Sequence, residues 1–187
     1  MSAGSAPPGV RRFREAFGLF ATGVAIVVGR AGEELLAMTV NAVSSVSLDP
    51  MLAMFCPGKK TRLAHRLTAL AGFSINVLRH EQQALSTYFA GGWQGAAAPP
   101  FRFVPTRNGM RLEGCLASID CSFEQVVDTG DHWMVIGRVL ELHTGIEPHR
   151  PLLFFRGRYH DIDLAEGAPA PDLGDVHDEP PHVFYDS

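Results

Sequence analysis

The chain has only three cysteines, Cys56, Cys115 and Cys121, and no CxxC pair or Cys/His cluster. That excludes a zinc ribbon and a dithiol redox motif, and leaves buried free thiols as the expectation. Long apolar runs are missing as well. VAIVV and MLAMF are far too short to span a bilayer. The opening residues, MSAGSAPPGVRR, lack the apolar core of a signal peptide, so a cytoplasmic protein without a membrane anchor is expected. No GxGxxG follows a strand-like run and no GxxxxGK[ST] occurs, so neither a Rossmann cofactor site nor a P-loop is indicated. GxSxG and HExxH are also absent, which removes the hydrolase elbow and the zinc hydrolases.

What is present fits one soluble domain. The 187 residues are 46% hydrophobic and 19% charged, enough to bury a sizeable core. The net charge of −4 conceals an asymmetry. All residues from Asp161 onward that carry charge are acidic, and the preceding body is mildly basic. Such a body suits a small anionic ligand and is far too weakly charged for nucleic acid. The organisation expected is a flexible N-terminal segment over 1–12, a single domain over 13–163, and an acidic Pro/Gly-rich tail over 164–187.

Periodicity outlines the elements. Phe13, Phe17 and Phe20 predict an amphipathic first helix that ends at Ala21-Thr22-Gly23. GVAIVVGR predicts a buried strand, AGEE its hairpin turn, and LLAMTVNAVSSVS the returning strand running on into an irregular stretch. MLAMFC is the next strand. Thr61 is a candidate N-cap for a helix with Leu63, Leu67 and Leu70 on one face. FSINVL is a strand, and HEQQALSTYFAG a third helix with Leu85 and Phe89 inward. A Gly/Ala/Pro loop runs from Gly91 to Pro100, long enough to be functional. A long hairpin turns at Thr129-Gly130, and PLLFFRGRYHDID is the last strand. Hairpins dominate, and strands and helices stop alternating after residue 100. The expected fold is mainly β, a closed antiparallel barrel with a few short α-helices.

Three features carry chemistry. The segment Met38–Pro50 packs Thr39, Asn41, Ser44, Ser45 and Ser47 between apolar runs. As extended chain it sets Thr39, Asn41, Ser45 and Ser47 on one side and Met38, Val40, Ala42 and Val46 on the other. That stripe suits a polar ligand, and equally an ordinary solvent-facing strand. Lys59, Lys60, Thr61 and Arg62 gather at a helix start, a candidate phosphate cradle or simply a capped helix with a solvated basic turn. His132 opens a strand directly after Asp128-Thr129-Gly130-Asp131, where an imidazole can orient a substrate or lie exposed on a turn.

Taken together, FREAFGLFATGVAIVV, MTVNAVSSVSLDPMLAMFC, FSINVL with HEQQALSTYFAG, LEGCLASIDC, GDHWMVIGRV and PLLFFRGRY resemble the short-chain flavin reductases, the reductase components of two-component flavin-dependent monooxygenases. The resemblance spans roughly Phe13 to Asp163. It implies a split β-barrel and a homodimer with flavin near the subunit interface. It implies flavin contacts from Thr39, Val40, Asn41 and Ala42, from the turn Ser44, Ser45, Val46 and Ser47, and from Cys56 at the end of the following strand. It sets Lys59, Lys60 and Thr61 by the phosphates and Phe89, Ala90 and Gly91 close to the flavin. His132 is implied at the nicotinamide and Tyr159 near the same cleft. Relatives often carry Ser where this chain has Ala42.

The activity implied is hydride transfer from NAD(P)H to free FAD or FMN, with FAD slightly favoured, and release of reduced flavin to a partner monooxygenase. No Arg cluster for a 2′-phosphate stands out in the sequence, which favours NADH. A flavin carrier or sensor without turnover, and a split-barrel flavin oxidase, are the alternatives.

Overall fold

The computed structural model describes residues 9–145 and 150–162. The expected acidic tail and the first residues of the N-terminal segment lie outside that range. Seven strands form one antiparallel sheet: β2 (Ala25–Ala31), β3 (Glu34–Val40), β4 (Val43–Leu48), β5 (Met51–Phe55), β6 (Gly72–Val77), β9 (Ala117–Thr129) and β10 (His132–Thr144). Their spatial order is β3-β2-β6-β9-β10-β5-β4.

That order closes the fold. Strands β3 and β4 stand at opposite edges of the sheet, yet only Asn41 and Ala42 separate them in the chain. Three Cα steps of 3.8 Å reach about 11 Å at most, so the sheet has to curl until its edges nearly meet. Among the described residues no ladder joins β3 to β4, and the barrel is split along this seam. The fold is therefore the split barrel expected. The stripe from Met38 to Ser47 is not one strand, however. It turns a corner at Asn41–Ala42, and a bulge between Ser45 and Ser47 breaks the period of two again.

Strand alternation supplies two cores. Ala25, Val27, Leu36, Val40, Phe55, Phe73, Ile75, Cys121 and Val135 fill the barrel interior, joined by Leu63, Leu67 and Leu70 from the segment that plugs it. That segment is a short α2 (Arg62–His65) followed by a 3₁₀ turn, with Thr61 as its N-cap. Ile26 and Val28 point the other way, into a second core with Leu78, Leu85, Leu112, Cys115 and Leu152. This outer core lies under α3 (Gln83–Phe89), the small hairpin β7 (Phe103–Pro105) with β8 (Met110–Leu112), and the sheet of β1 (Thr22–Gly23), β11 (Leu153–Phe155) and β12 (Arg158–His160). PLLFFRGRYHDID is thus a hairpin rather than one strand. Helix α1 (Val10–Phe17) begins ahead of the expected domain start at Phe13, ends at Gly18, and buries none of its residues. No helix among the described residues is long and apolar enough to cross a membrane.

Two polar or close-packed points hold the layers. Asn76 is fully buried, and its Nδ2 donates to Ile26 O (2.9 Å) and Ser74 Oγ (2.9 Å). Its Oδ1 accepts from Leu112 N–H at 2.9 Å, so one amide ties β2, β6 and β8 together. Gly137 on β10 lies against the Phe73 ring of β6 and against Cys121 of the intervening β9. A Cβ there would lie 2.5 Å from the Phe73 ring and 2.7 Å from Cys121 Cβ. Burial raises the thiol pKa of Cys56 and Cys115, and pushes Cys121 up to about 12.

Two stability predictions follow from these contacts. Gly137→Ala overpacks the interior and lowers unfolding stability by about 1–3 kcal/mol in urea titrations. Asn76→Leu strands the Leu112 N–H and the Ile26 carbonyl and lowers stability by about 2–4 kcal/mol, given about 1–3 kcal/mol for each buried group left unsatisfied.

Candidate functional site

The seam opens into a cleft of about 1200 Å³ with both apolar and polar walls. Its walls come from six places. Helix α1 and the turn after it supply Phe13, Arg14, Phe17 and Phe20; β1 supplies Thr22 and Gly23; the corner supplies Asn41, Ala42 and Val43. Met54 and His132 line it from β5 and β10, and Phe154, Arg156 and Gly157 from the β11–β12 hairpin. The chain folds this way because the helix is amphipathic, the corner ends β3, and Arg156–Gly157 adopts two left-handed residues (φ 49° and 75°), the backbone of a tight hairpin turn.

Asn41, Ala42 and His132 are thus brought to one cavity from distant parts of the sequence. The Asn41 side chain makes no hydrogen bond among the described residues, and the corner is held by Cys56 N–H donating to Ala42 O at 3.1 Å. The hydroxyl of Thr22 is buried and has no hydrogen-bond partner. A buried donor without a partner is uncommon. The two free polar side chains in an apolar-walled cleft fit a planar heteroaromatic ligand with polar edges.

His132 is held in a defined state. Its Nδ1 lies 2.7 Å from Asp131 Oδ1. That hydrogen bond, with the positive charge of Arg14 adding to it, holds the Asp131 carboxyl below the usual carboxylate range. An ionised carboxylate only accepts, so Nδ1 carries a proton and Nε2 is the nitrogen left for a ligand. The strand start is docked on the turn before α2: Trp133 N–H donates to Pro57 O (3.0 Å) and Lys59 N–H to Asp131 O (3.0 Å).

The Lys59–Thr61 turn therefore lies beside His132, but its groups are engaged. Lys59 Nζ donates to Asp128 Oδ1 at 2.6 Å and sits 4.6 Å over the Trp133 ring. The same contact holds the Asp128 carboxyl below its usual range. Thr61 Oγ1 accepts from Ala64 N–H (3.3 Å) and donates to Gly58 O (2.9 Å). Lys60 is exposed.

The other expected residues fall elsewhere. Thr39 Oγ1 donates to Ser86 O at 2.7 Å, and Ser86 Oγ lies 2.9 Å from the Tyr159 hydroxyl, so Thr39 and Tyr159 meet through α3 on the outer face of the sheet. Val40 is buried in the barrel. Ser44, Ser45 and Val46 are exposed on the edge strand β4, with Ser47 and Cys56 half-buried. Phe89 packs among Tyr88, Phe101 and Phe103, with Ala90 and Gly91 exposed at the helix end. Sequence reasoning missed Arg14, Thr22, Met54, Phe154 and Arg156 as cleft residues. The FATG segment after the first helix was the available signal, and Arg156 had none. Among the described residues no group of three or more His, Cys, Asp or Glu is placed to hold a metal ion.

Known proteins are similar to this chain in sequence and in fold. The reductase subunit HsaB of a flavin-dependent monooxygenase from Rhodococcus jostii (strain RHA1) is 37% identical over 161 residues, covering 86% of this chain and 82% of that protein. The NADH-dependent FMN reductase AsuE2 of Streptomyces nodosus subsp. asukaensis is 38% identical over 156 residues, covering 81% and 84%. The solved structure of the flavin reductase PheA2 in its native state superposes with a TM-score of 0.78 at 32% identity, covering 83% of this chain and 99% of that one. The family described as "Flavin reductase like domain" matches residues 17–163, a span that runs from the last residue of α1 to just past the β11–β12 hairpin and so takes in the whole split barrel. The chain belongs to that family.

Proposed function

We propose that this chain is an NADH-dependent flavin reductase that reduces free FAD or FMN and hands the reduced flavin to a partner monooxygenase. The observation that carries this reading is the convergence of the split-barrel corner and His132 on one cleft, in a chain that belongs to the flavin reductase like family. At about 1200 Å³ the cleft exceeds the 300–1,000 Å³ usual for a single small ligand, which leaves room for two ring systems at once. Flavin and nicotinamide supply the hydride chemistry when bound, and the chain supplies position and electrostatics.

The residues divide the work. Phe13, Phe17 and Phe20 offer apolar faces to a planar ring, and the Asn41 amide and Thr22 hydroxyl offer polar contacts at its edge. Backbone groups of the corner Asn41–Ala42 lie at the ends of strands, where ladder partners run out. His132, its Nδ1 bound to Asp131, presents Nε2 toward a carboxamide or similar polar group. No protein nucleophile is called for, in keeping with a cleft free of a triad. Phe13, Phe17 and Phe20 remain 56%, 64% and 72% exposed in the single chain, an apolar surface that supports a homodimer.

Steady-state assays of both flavins against both nicotinamides test the reading. Oxidation of NADH is expected to require added flavin and to exceed that of NADPH; no flavin-dependent oxidation of either nicotinamide overturns it. His132→Ala is expected to raise the KM for NADH about tenfold, the worth of one hydrogen bond, and the KM for flavin much less. The reverse pattern removes His132 from the nicotinamide end.

A further inference from the structure

We propose that Arg14 and Arg156 form a two-arginine clamp that holds the phosphate or diphosphate of a nucleotide cofactor at the mouth of the cleft. The proposal rests on the reductase reading for its ligand, and on the following geometry for its location.

Both guanidinium-bearing residues line the cleft that contains Asn41 and His132. Both also line an adjoining cavity of about 900 Å³ along α1, so they stand where the two spaces meet. Neither is in an ion pair with a carboxylate among the described residues, in contrast to Arg11, which pairs with Glu15 at 3.6 Å on the same helix. The charge of Arg14 reaches Asp131, which places it within electrostatic range of the His132 end. Lys59, the cation the sequence pointed to, is held by Asp128 and Trp133. Among the described residues, the cleft cations without a carboxylate ion pair are therefore the two arginines.

The position of Arg156 strengthens the point. It is the one non-glycine residue with a left-handed backbone among the described residues, at φ 49°. Glycine or asparagine suits such a turn position better, and the contact the long side chain makes there is with the neighbouring Phe155 ring, 5.5 Å from the guanidinium carbon to the ring centroid. Its backbone N–H donates to Gly18 O at 2.9 Å, which fixes the hairpin tip against the end of α1. The tip is thereby pinned, and the guanidinium rests over the Phe155 ring with no carboxylate partner among the described residues, in a cleft that Arg14 also lines. Two planar forks offering up to ten N–H donors match a phosphate or diphosphate group. An extended dinucleotide would keep its reactive ring near His132 and Asn41 and run past the arginines into the adjoining cavity.

The test uses the full chain and the variants Arg14→Gln, Arg156→Gln and the double variant, with Arg158→Gln on β12 as a control outside the cleft. Titration calorimetry with inorganic pyrophosphate and with ADP is expected to show binding to the wild type, at least tenfold weaker binding to the double variant, and no change for the control. Arg156→Gly relieves the left-handed backbone, and is expected to raise Tm while still losing pyrophosphate affinity, which separates folding from binding. KM values then assign the source. A rise for NADH alone assigns the clamp to the nicotinamide dinucleotide, and a rise for FMN and FAD with riboflavin unchanged assigns it to the flavin phosphate. No pyrophosphate or ADP binding to the wild type, equal affinity in the double variant, or unchanged KM for every phosphorylated substrate overturns the clamp. The calorimetry involves no turnover, so a wild type that binds pyrophosphate but oxidises no NADH would sink the reductase reading and leave the clamp standing.

Discussion

Asn41 and Ala42 carry the chain from one edge of a seven-stranded sheet to the other, and that short reach sets the curvature of the whole barrel. A sheet drawn round this tightly cannot keep a regular pleat. Strand β4 bulges at Val46, and β10 shifts register against β9 twice. The interior is correspondingly narrow, and β10 can pass Phe73 and Cys121 only as Gly137. The same corner leaves β3 and β4 unpaired with each other, so the tightest point of the fold is also where it opens.

The sheet is apolar on both faces, unlike an antiparallel sheet with one face in water. The barrel interior is closed by Leu63, Leu67 and Leu70; the outer face needs α3 and two small hairpins over it. Buried polar side chains align the outer cover. Asn76 fixes β8, and Ser74 Oγ donates to Met110 O at 2.7 Å on the same hairpin. Asp120 accepts from Thr106 Oγ1 and Asn108 N–H at the loop between β7 and β8, and burial still raises its pKa. These groups specify where the outer layer sits, which apolar packing alone leaves loose. Through that layer they position the β11–β12 hairpin that walls the cleft.

Much of the fold was legible because period and punctuation agreed. The alternation of Met38 and Val40 against Thr39, the Thr61 cap, the inward Leu85 and the turn at Thr129-Gly130 all appear as read. The corner at Asn41 was not legible, because an alternating pattern reads the same through a bend that carries the strand to another sheet edge. Short pieces were missed for a related reason: Phe103–Pro105 and Met110–Leu112 are too brief to show a period. In the cleft, Asn41, Ala42 and His132 were legible from residue chemistry and family resemblance. Arg14 and Arg156 were not, since their meeting depends on how a helix end docks on a hairpin tip, and on the neighbours that neutralise some cations and leave others free.

The three cysteines acquire a meaning from the proposed chemistry. Reduced flavin released into aerated water gives up its electrons to dioxygen and yields hydrogen peroxide. Thiols are attacked by peroxide as thiolates. Cys56, Cys115 and Cys121 are all driven toward the protonated form by burial, Cys121 to about 12. A fold that buries Cys115 and Cys121, half-buries Cys56 and keeps all three protonated is chemically hardened against the by-product of the proposed turnover.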